Sequence, residues 1–256
     1  MNNQISSKAR IGKNVTIGPF TTIHDGVEIG DNSVIGSNCV LGIPTKLAKL
    51  ETLVIAEDSF IRSHSVFYIG SEFGPHLVTG HSVIVRENIQ GGRNLQIGGA
   101  TELDPNTAFG NFVKIHSRVN IAGQTVIGDF VWIYPAVVLT NDPLPPSDVV
   151  EGITIKDMAI IASNSFLMPG VTVGTGSIVG AKSVVKHDVP DVHCVSGDPA
   201  KVVCRIDRLV NLEHGLSYPW PTHFRTGYPE ESFPLMESIA DKLERLIKED
   251  KEKGEI

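Results

Sequence analysis

The chain has 256 residues, 41% apolar and 20% charged, with a formal net charge of −7. These values exclude a disordered chain and argue against nucleic acid as a main partner. No apolar run approaches the roughly 20 residues of a membrane helix, and the N-terminus MNNQISSKAR lacks the apolar stretch of a secretory signal. A cytoplasmic protein without membrane insertion is therefore expected. The three cysteines, Cys39, Cys194 and Cys204, fit a reducing compartment better than a disulfide or zinc framework.

The composition splits along the chain. Up to residue 204 there are 49 Val plus Ile against 10 Leu, 22 of the 25 glycines, and only 32 charged residues; the last 52 residues carry 19 charges. β-branched residues favour strands and glycines favour tight turns. The spacing predicts an all-β body over residues 1–204 and a different structure over 205–256.

The body repeats every six residues. One run is Ile5, Ile11, Ile17, Ile23, Ile29, Ile35, Leu41; a second continues from Ile55 through Ile61 and Phe67 to Leu139; a third runs from Ile155 to Val185. Of these 28 positions, all but Thr79 and Gly91 are aliphatic or Phe. Six matches neither the period of a helix nor that of a single strand. It fits a short strand plus a corner, with the aliphatic residue inward and Gly, Asn or Asp at corners that need φ > 0. Three sides close a coil of 18 residues. The 28 hexads predict about nine coils stacked about 4.8 Å apart. The phase breaks between 41 and 55 and between 139 and 155, which places loops near 43–52 and 141–154. The second loop holds three prolines and should be stiff.

The tail begins with residues 205–231, whose three prolines, two glycines and four aromatics read as an extended strap. A helix follows with Ser232 as candidate N-cap. Met236, Ile239, Leu243, Leu246 and Ile247 share one face, suited to packing on the body or sealing its open end.

The succession TGHSVIVREN, FGNFVKIHSRVNI, TVIGDFVWIYPAVVLTNDP, IIASNSFLMPGVTVGTGSIVGAKSVVKHDVP and SGDPAKVV resembles the hexapeptide-repeat acyltransferases over roughly residues 5–204. That resemblance implies a left-handed parallel β-helix, acetyl-coenzyme A as co-substrate without a metal, and a homotrimer with active sites between subunits. By motif it lies nearest the N-acetyltransferases of nucleotide-linked amino sugars in surface-polysaccharide, including lipopolysaccharide, precursor synthesis.

Three histidines of the middle body fall at hexad positions: His64, His81 and His116. A base at neutral pH suits transfer to an amine or hydroxyl, and His116 follows inward Ile115 at a corner, so its ring should project outward. The resemblance implies that Thr140-Asn141-Asp142 lies in the acceptor pocket. His116, Asn141 and Asp142 are therefore expected around the reacting nitrogen: His116 as base or positioner, Asp142 orienting the amine or His116, Asn141 as a polar contact. A corner histidine bonded to a neighbouring turn and a turn-capping aspartate are the plainer alternatives. His81, Arg86 and Glu87 are candidate substrate-binding residues, Arg86 toward a diphosphate; a surface Arg–Glu pair is the alternative. The zinc-binding G-H-x-x-x-x-H of β-helix carbonic anhydrases is broken here by Arg86, a permanent cation.

For the co-substrate, the resemblance implies backbone groups near Ala162 and Gly180, where an amide could stabilise the oxyanion. Lys182, His187 and Lys201 are candidates for the phosphates. Cys39 falls at a small, inward hexad position and Cys194 and Cys204 lack a paired histidine, so no covalent intermediate is expected. Sugar O-acetylation and a non-catalytic scaffold are the competing functions.

Overall fold

The computed structural model describes residues 2–254. Each of the 28 hexad positions becomes the inward residue of one short strand, from β1 (Gln4–Ile5) to β28 (Val184–Val185). Every third strand pairs in parallel, so that Ile5 lies beside Ile23 and Ile23 beside Leu41. Three sheets form the faces of a prism: a first sheet of ten strands (β1, β4 and on to β28), a second of nine (β2 to β26) and a third of eleven. The fold is a left-handed parallel β-helix. The third sheet exceeds the expected nine coils. β29 (His193–Gly197) continues its parallel stack and β30 (Ala200–Arg205) folds back antiparallel on β29, in a stretch where the six-residue period has lapsed.

The core is a column of stacked aliphatic side chains, buried from Ile23 to Val185. Ile5 and Ile11, by contrast, are 45% and 37% exposed, because the first coil has none beneath it. Small hydroxyl residues at the recurring fourth position beyond the aliphatic one stitch the corners. Thr125 Oγ1 donates to Ala122 O at 2.7 Å and Ser165 Oγ to Ala162 O at 2.8 Å, which satisfies buried polar groups.

The corner chemistry meets expectation for Asn and departs from it for much of the glycine. Left-handed φ values fall two residues after the frequent glycine, at positions such as Asn14, Asn32, Asn88 and Asn106. Glycine itself serves close approach: a Cβ on Gly98 would overlap the carbonyl carbon of His116 in the next coil. The two loops appear as register jumps. Val40 pairs with Val66 and Val138 with Phe166, steps of 26 and 28 residues against 18 for a regular coil.

The tail packs along the corner between the second and third sheets. There the left-handed position holds Phe112, Phe130, Met158 and Val192 instead of Asn. All four are buried in a second cluster with Met236, Ile239, Leu243 and Ile247 of helix α1 (Phe233–Lys253). Bulky residues at positive φ are costly; burial against the helix offsets that cost. Leu246 is half-buried at the edge of the same face. Ser232 stands at the helix start, but its hydroxyl donates to Pro229 O at 2.7 Å and makes no cap. The strap is less extended than expected: it contains a small hairpin, β31 (Val210–Asn211) with β32 (Leu216–Ser217), and short 3-10 turns. The helix end is pinned by Arg205, whose guanidinium reaches Asp207 at 2.8 Å and Asp250 at 3.1 Å. Among the described residues, no helix is long and apolar enough to cross a membrane.

Candidate active site

Apart from Lys201, which lies in β30 at the end of the third sheet, the residues singled out from sequence fall on two corners of the prism, those that flank the first sheet. His81 follows β12 (Val78–Thr79) and His116 follows β18 (Lys114–Ile115), on the corner leading into the first sheet; Ala162, Gly180 and Lys182 lie on the same corner in later coils. Arg86 and Glu87 follow β13 (Ile84–Val85), Asn141 and Asp142 follow β22 (Val138–Leu139), and His187 follows β28, all on the corner leading out of it. Within one chain, then, His116 is not brought to Asn141 or Asp142. The first sheet separates them.

His116 is half-buried. Its ring stacks on Tyr134 of the next coil, with centroids 4.7 Å apart and planes 16° apart, and lies 5.9 Å from Trp132. It borders an open cavity of about 400 Å³ that also takes in Arg62, Gln96, Lys114 and Trp132. Burial, and secondarily the charge of Lys114, pushes the imidazole below its ordinary value. A neutral ring able to accept a proton is the consequence.

Lys114 is 9% exposed. Its Nζ lies 4.0 Å from the Tyr228 ring centroid and 4.8 Å from that of Trp132, and donates to Gly227 O at 3.3 Å. Among the described residues, no carboxylate pairs with it. Burial holds its pKa below the usual lysine value.

At the other corner, Arg86 is occupied. Its Nε and Nη2 donate to Glu87 at 3.2 and 3.3 Å, and its guanidinium sits over Tyr68. Glu87 is fully buried, so this is a built ion pair rather than a loose surface one, and its charge is largely neutralised. Asp142 accepts from Leu144 N, Ser147 N and Ser147 Oγ. The Ser147 hydroxyl is the main cause of its lowered pKa. The carboxylate shapes the proline-rich loop. Asn141 Nδ2 reaches Gly123 O at 3.4 Å.

The N–H groups of Ala162 and Gly180 both donate within the ladder, to Val179 O at 2.9 Å and Val195 O at 2.8 Å. Neither is a free oxyanion donor. Lys182 is exposed at a left-handed corner position. His187 and Lys201 line one small cavity of about 260 Å³, which brings two of the three phosphate candidates together. Among the described residues, no group of three His, Cys, Asp or Glu is placed to hold a metal.

Sequence reasoning missed Lys114, Trp132 and Tyr134, and the strap residues that cover them. A signal was present: Trp132-Ile133-Tyr134 puts rings on both sides of an inward residue, at an outward position and at a corner position where glycine is frequent.

The family model "Bacterial transferase hexapeptide (six repeats)" matches residues 8–42. The serine acetyltransferase of Bacillus subtilis is 33% identical over 150 residues, 57% of this chain and 68% of that protein. The 2,3,4,5-tetrahydropyridine-2,6-dicarboxylate N-acetyltransferase of Clostridium perfringens is 43% identical over 53 residues, 21% of this chain and 22% of that one. Among solved structures, a hexapeptide-repeat acetyltransferase of Vibrio cholerae is 26% identical, covering 44% of this chain and 72% of that chain with a TM-score of 0.41. With 28 six-residue repeats stacked in the fold and a relative 33% identical matched over 68% of its length, the chain belongs to the hexapeptide-repeat acyltransferases.

Proposed function

We propose that the protein is an acetyl-coenzyme A-dependent N-acetyltransferase acting on a nucleotide-linked amino sugar. The observation that carries this reading is the His116 corner. A half-buried imidazole, kept neutral by burial, borders a cavity whose charged side chains are Arg62 and Lys114. In a chain of net charge −7, such a cavity suits an acceptor that bears phosphates.

The amine nitrogen attacks the thioester carbonyl carbon, forming a C–N bond and a tetrahedral oxyanion. His116 takes the proton that the nitrogen sheds. As the oxyanion collapses, the C–S bond breaks and the proton passes to the leaving thiolate. The oxyanion donor in the Ala162 and Gly180 segments falls to the following amides, Ser163 or Ala181, since the ladder uses the first.

Assembly completes the site in this reading. Val40, Val66, Ile84, Val138, Phe166 and Val184 point outward from the first sheet, with Ile84 38% and Phe166 43% exposed. Glu102 and Asn120 interrupt these apolar residues in the middle coils, and the face as a whole lies between the two corners. A cyclic, head-to-tail contact in a homotrimer sets the His116 corner of one subunit against the Asn141–Asp142 corner of its neighbour.

The likeness to a serine acetyltransferase favours a second reading, transfer to a hydroxyl. The two separate by experiment. Thiol release from acetyl-coenzyme A is measured with a nucleotide-linked amino sugar, its hydroxy analogue, and serine. The amine acceptor alone is expected to turn over. Turnover only with the hydroxyl acceptors would replace the N-acetyl reading.

A further inference from the structure

A second cavity, of about 380 Å³, lies beside the His116 cavity. Its walls are Trp132, Tyr134 and Ile160 of the β-helix, and Tyr218, Trp220, His223 and Phe224 among the strap residues. The two cavities share Trp132, and His116 of the first stacks on Tyr134 of the second.

Their chemistries are complementary. The first has Arg62, Lys114 and His116 and no acidic residue in its lining. Lys114 is nine-tenths buried and, among the described residues, meets aromatic rings and one carbonyl but no anion; a cation so placed is stabilised by an incoming anion. The second is a box of flat rings. Trp132 and Trp220 meet edge to face at 6.4 Å, as do Trp132 and Phe224 at 5.6 Å. Such walls favour a planar heteroaromatic guest. One donor in this wall is unspent: among the described residues, Trp220 Nε1 is buried without a partner, the kind of group a base carbonyl satisfies once the strap yields slightly. An alkyl chain would leave both it and Lys114 unpaired.

We infer that these joined cavities bind a nucleoside phosphate, its base between Tyr134 and the strap rings and its phosphates on Lys114 and Arg62. The strap is thus a nucleotide clamp as well as a cover for the third sheet. This inference rests on the proposed acyltransferase function but reaches past it. The base and phosphates belong either to the acceptor or to coenzyme A, which carries the same chemistry.

The chain supplies its own reporter. Its two tryptophans both line the aromatic cavity, so a stacked base quenches their emission directly. The full-length protein is titrated with UDP, GDP, coenzyme A, uridine, guanosine and inorganic pyrophosphate, with excitation at the red edge of indole absorption. A nucleoside diphosphate or coenzyme A is expected to quench saturably, with pyrophosphate competing. Loss of one charge-assisted contact weakens phosphate-bearing ligands by about tenfold, so Lys114→Gln should lower their affinity to that extent and leave nucleoside quenching within about twofold. Arg62→Gln, at an exposed position, gives the same pattern without risk to the core. Quenching by coenzyme A alone assigns the clamp to the co-substrate and removes its support for a nucleotide-linked acceptor. Quenching by UDP or GDP assigns it to the acceptor. Calorimetric binding of these ligands without quenching, or quenching indifferent to both variants, would overturn the clamp. Acetyl transfer to a nucleotide-linked acceptor in the same preparation would leave the proposed function standing in that case.

Discussion

At the residue scale, two neighbouring side chains carry the proposed chemistry. His116 is pushed down first by burial and then by Lys114. A lowered pKa keeps the base form populated to more acid pH than an ordinary imidazole does. The acid limb of kcat/KM is therefore expected below the usual histidine value. Lys114→Gln removes a like charge, so the limb should move upward; a downward move or none would deny the coupling. His116→Ala should cost about 10²–10⁴ in turnover if the ring is the base, and near-normal turnover would leave substrate-assisted transfer. Lys114 also carries a stability cost. Burial holds its pKa down, so the unfolded chain binds that proton more tightly and the charged form opposes folding. Replacing an unpaired buried charge by an apolar residue of similar length removes its desolvation penalty. Lys114→Met is expected to raise the melting temperature while weakening phosphate binding, the trade seen where function retains a strained group. A lower melting temperature would mean that the Trp132 and Tyr228 rings outweigh desolvation. His116 was legible in the sequence from its place after Ile115. The surroundings of Lys114 were not, because Gly227 and Tyr228, which hold its ammonium, arrive from more than 100 residues away.

At the element scale, the same backbone conformation does two jobs. Phe20 and Phe130 both adopt left-handed φ, 61° and 55°, but Phe20 is 58% exposed and Phe130 is fully buried. Phe130 stacks on Phe112 at 4.9 Å and meets Tyr228 edge to face. Phe20→Asn relieves the backbone at little packing cost and is expected to stabilise by up to about 1 kcal/mol. Phe130→Asn gains the same relief but loses about 3–5 kcal/mol of burial, and should destabilise clearly. Chemical denaturation of the two variants reads both signs, and matching signs would refute the account of this corner. The helix gives a related case. A Cβ on Gly176, at φ 66°, would lie 2.5 Å from Leu243 Cδ2, so Gly176→Ala should loosen α1 and quicken amide exchange along it. The hexads and the helix face were legible because burial imposes a period. The docking corner was less legible, although Phe112, Phe130, Met158, Gly176 and Val192 replace Asn at one corner in successive turns of the coil.

At the scale of the whole molecule, the β-helix separates the residues that the proposed reaction brings together. His116 and Asn141–Asp142 stand on opposite edges of the first sheet, and a sequence motif cannot reveal which edge of a prism a loop leaves from until the strand order is known. A trimer is expected by light scattering, at three times the chain mass. Phe166→Glu, on the apolar face of the first sheet, should release monomers that keep their far-ultraviolet spectrum and lose turnover. An active monomer would remove the shared site. The most direct test of the central claim is thiol release from acetyl-coenzyme A with a nucleotide-linked amino sugar, set against the same amino sugar without its nucleotide. Turnover that requires the amine, falls steeply in His116→Ala and has a much higher kcat/KM with the nucleotide attached is the predicted result. Equal kcat/KM for both sugars, or no release with either, would contradict it.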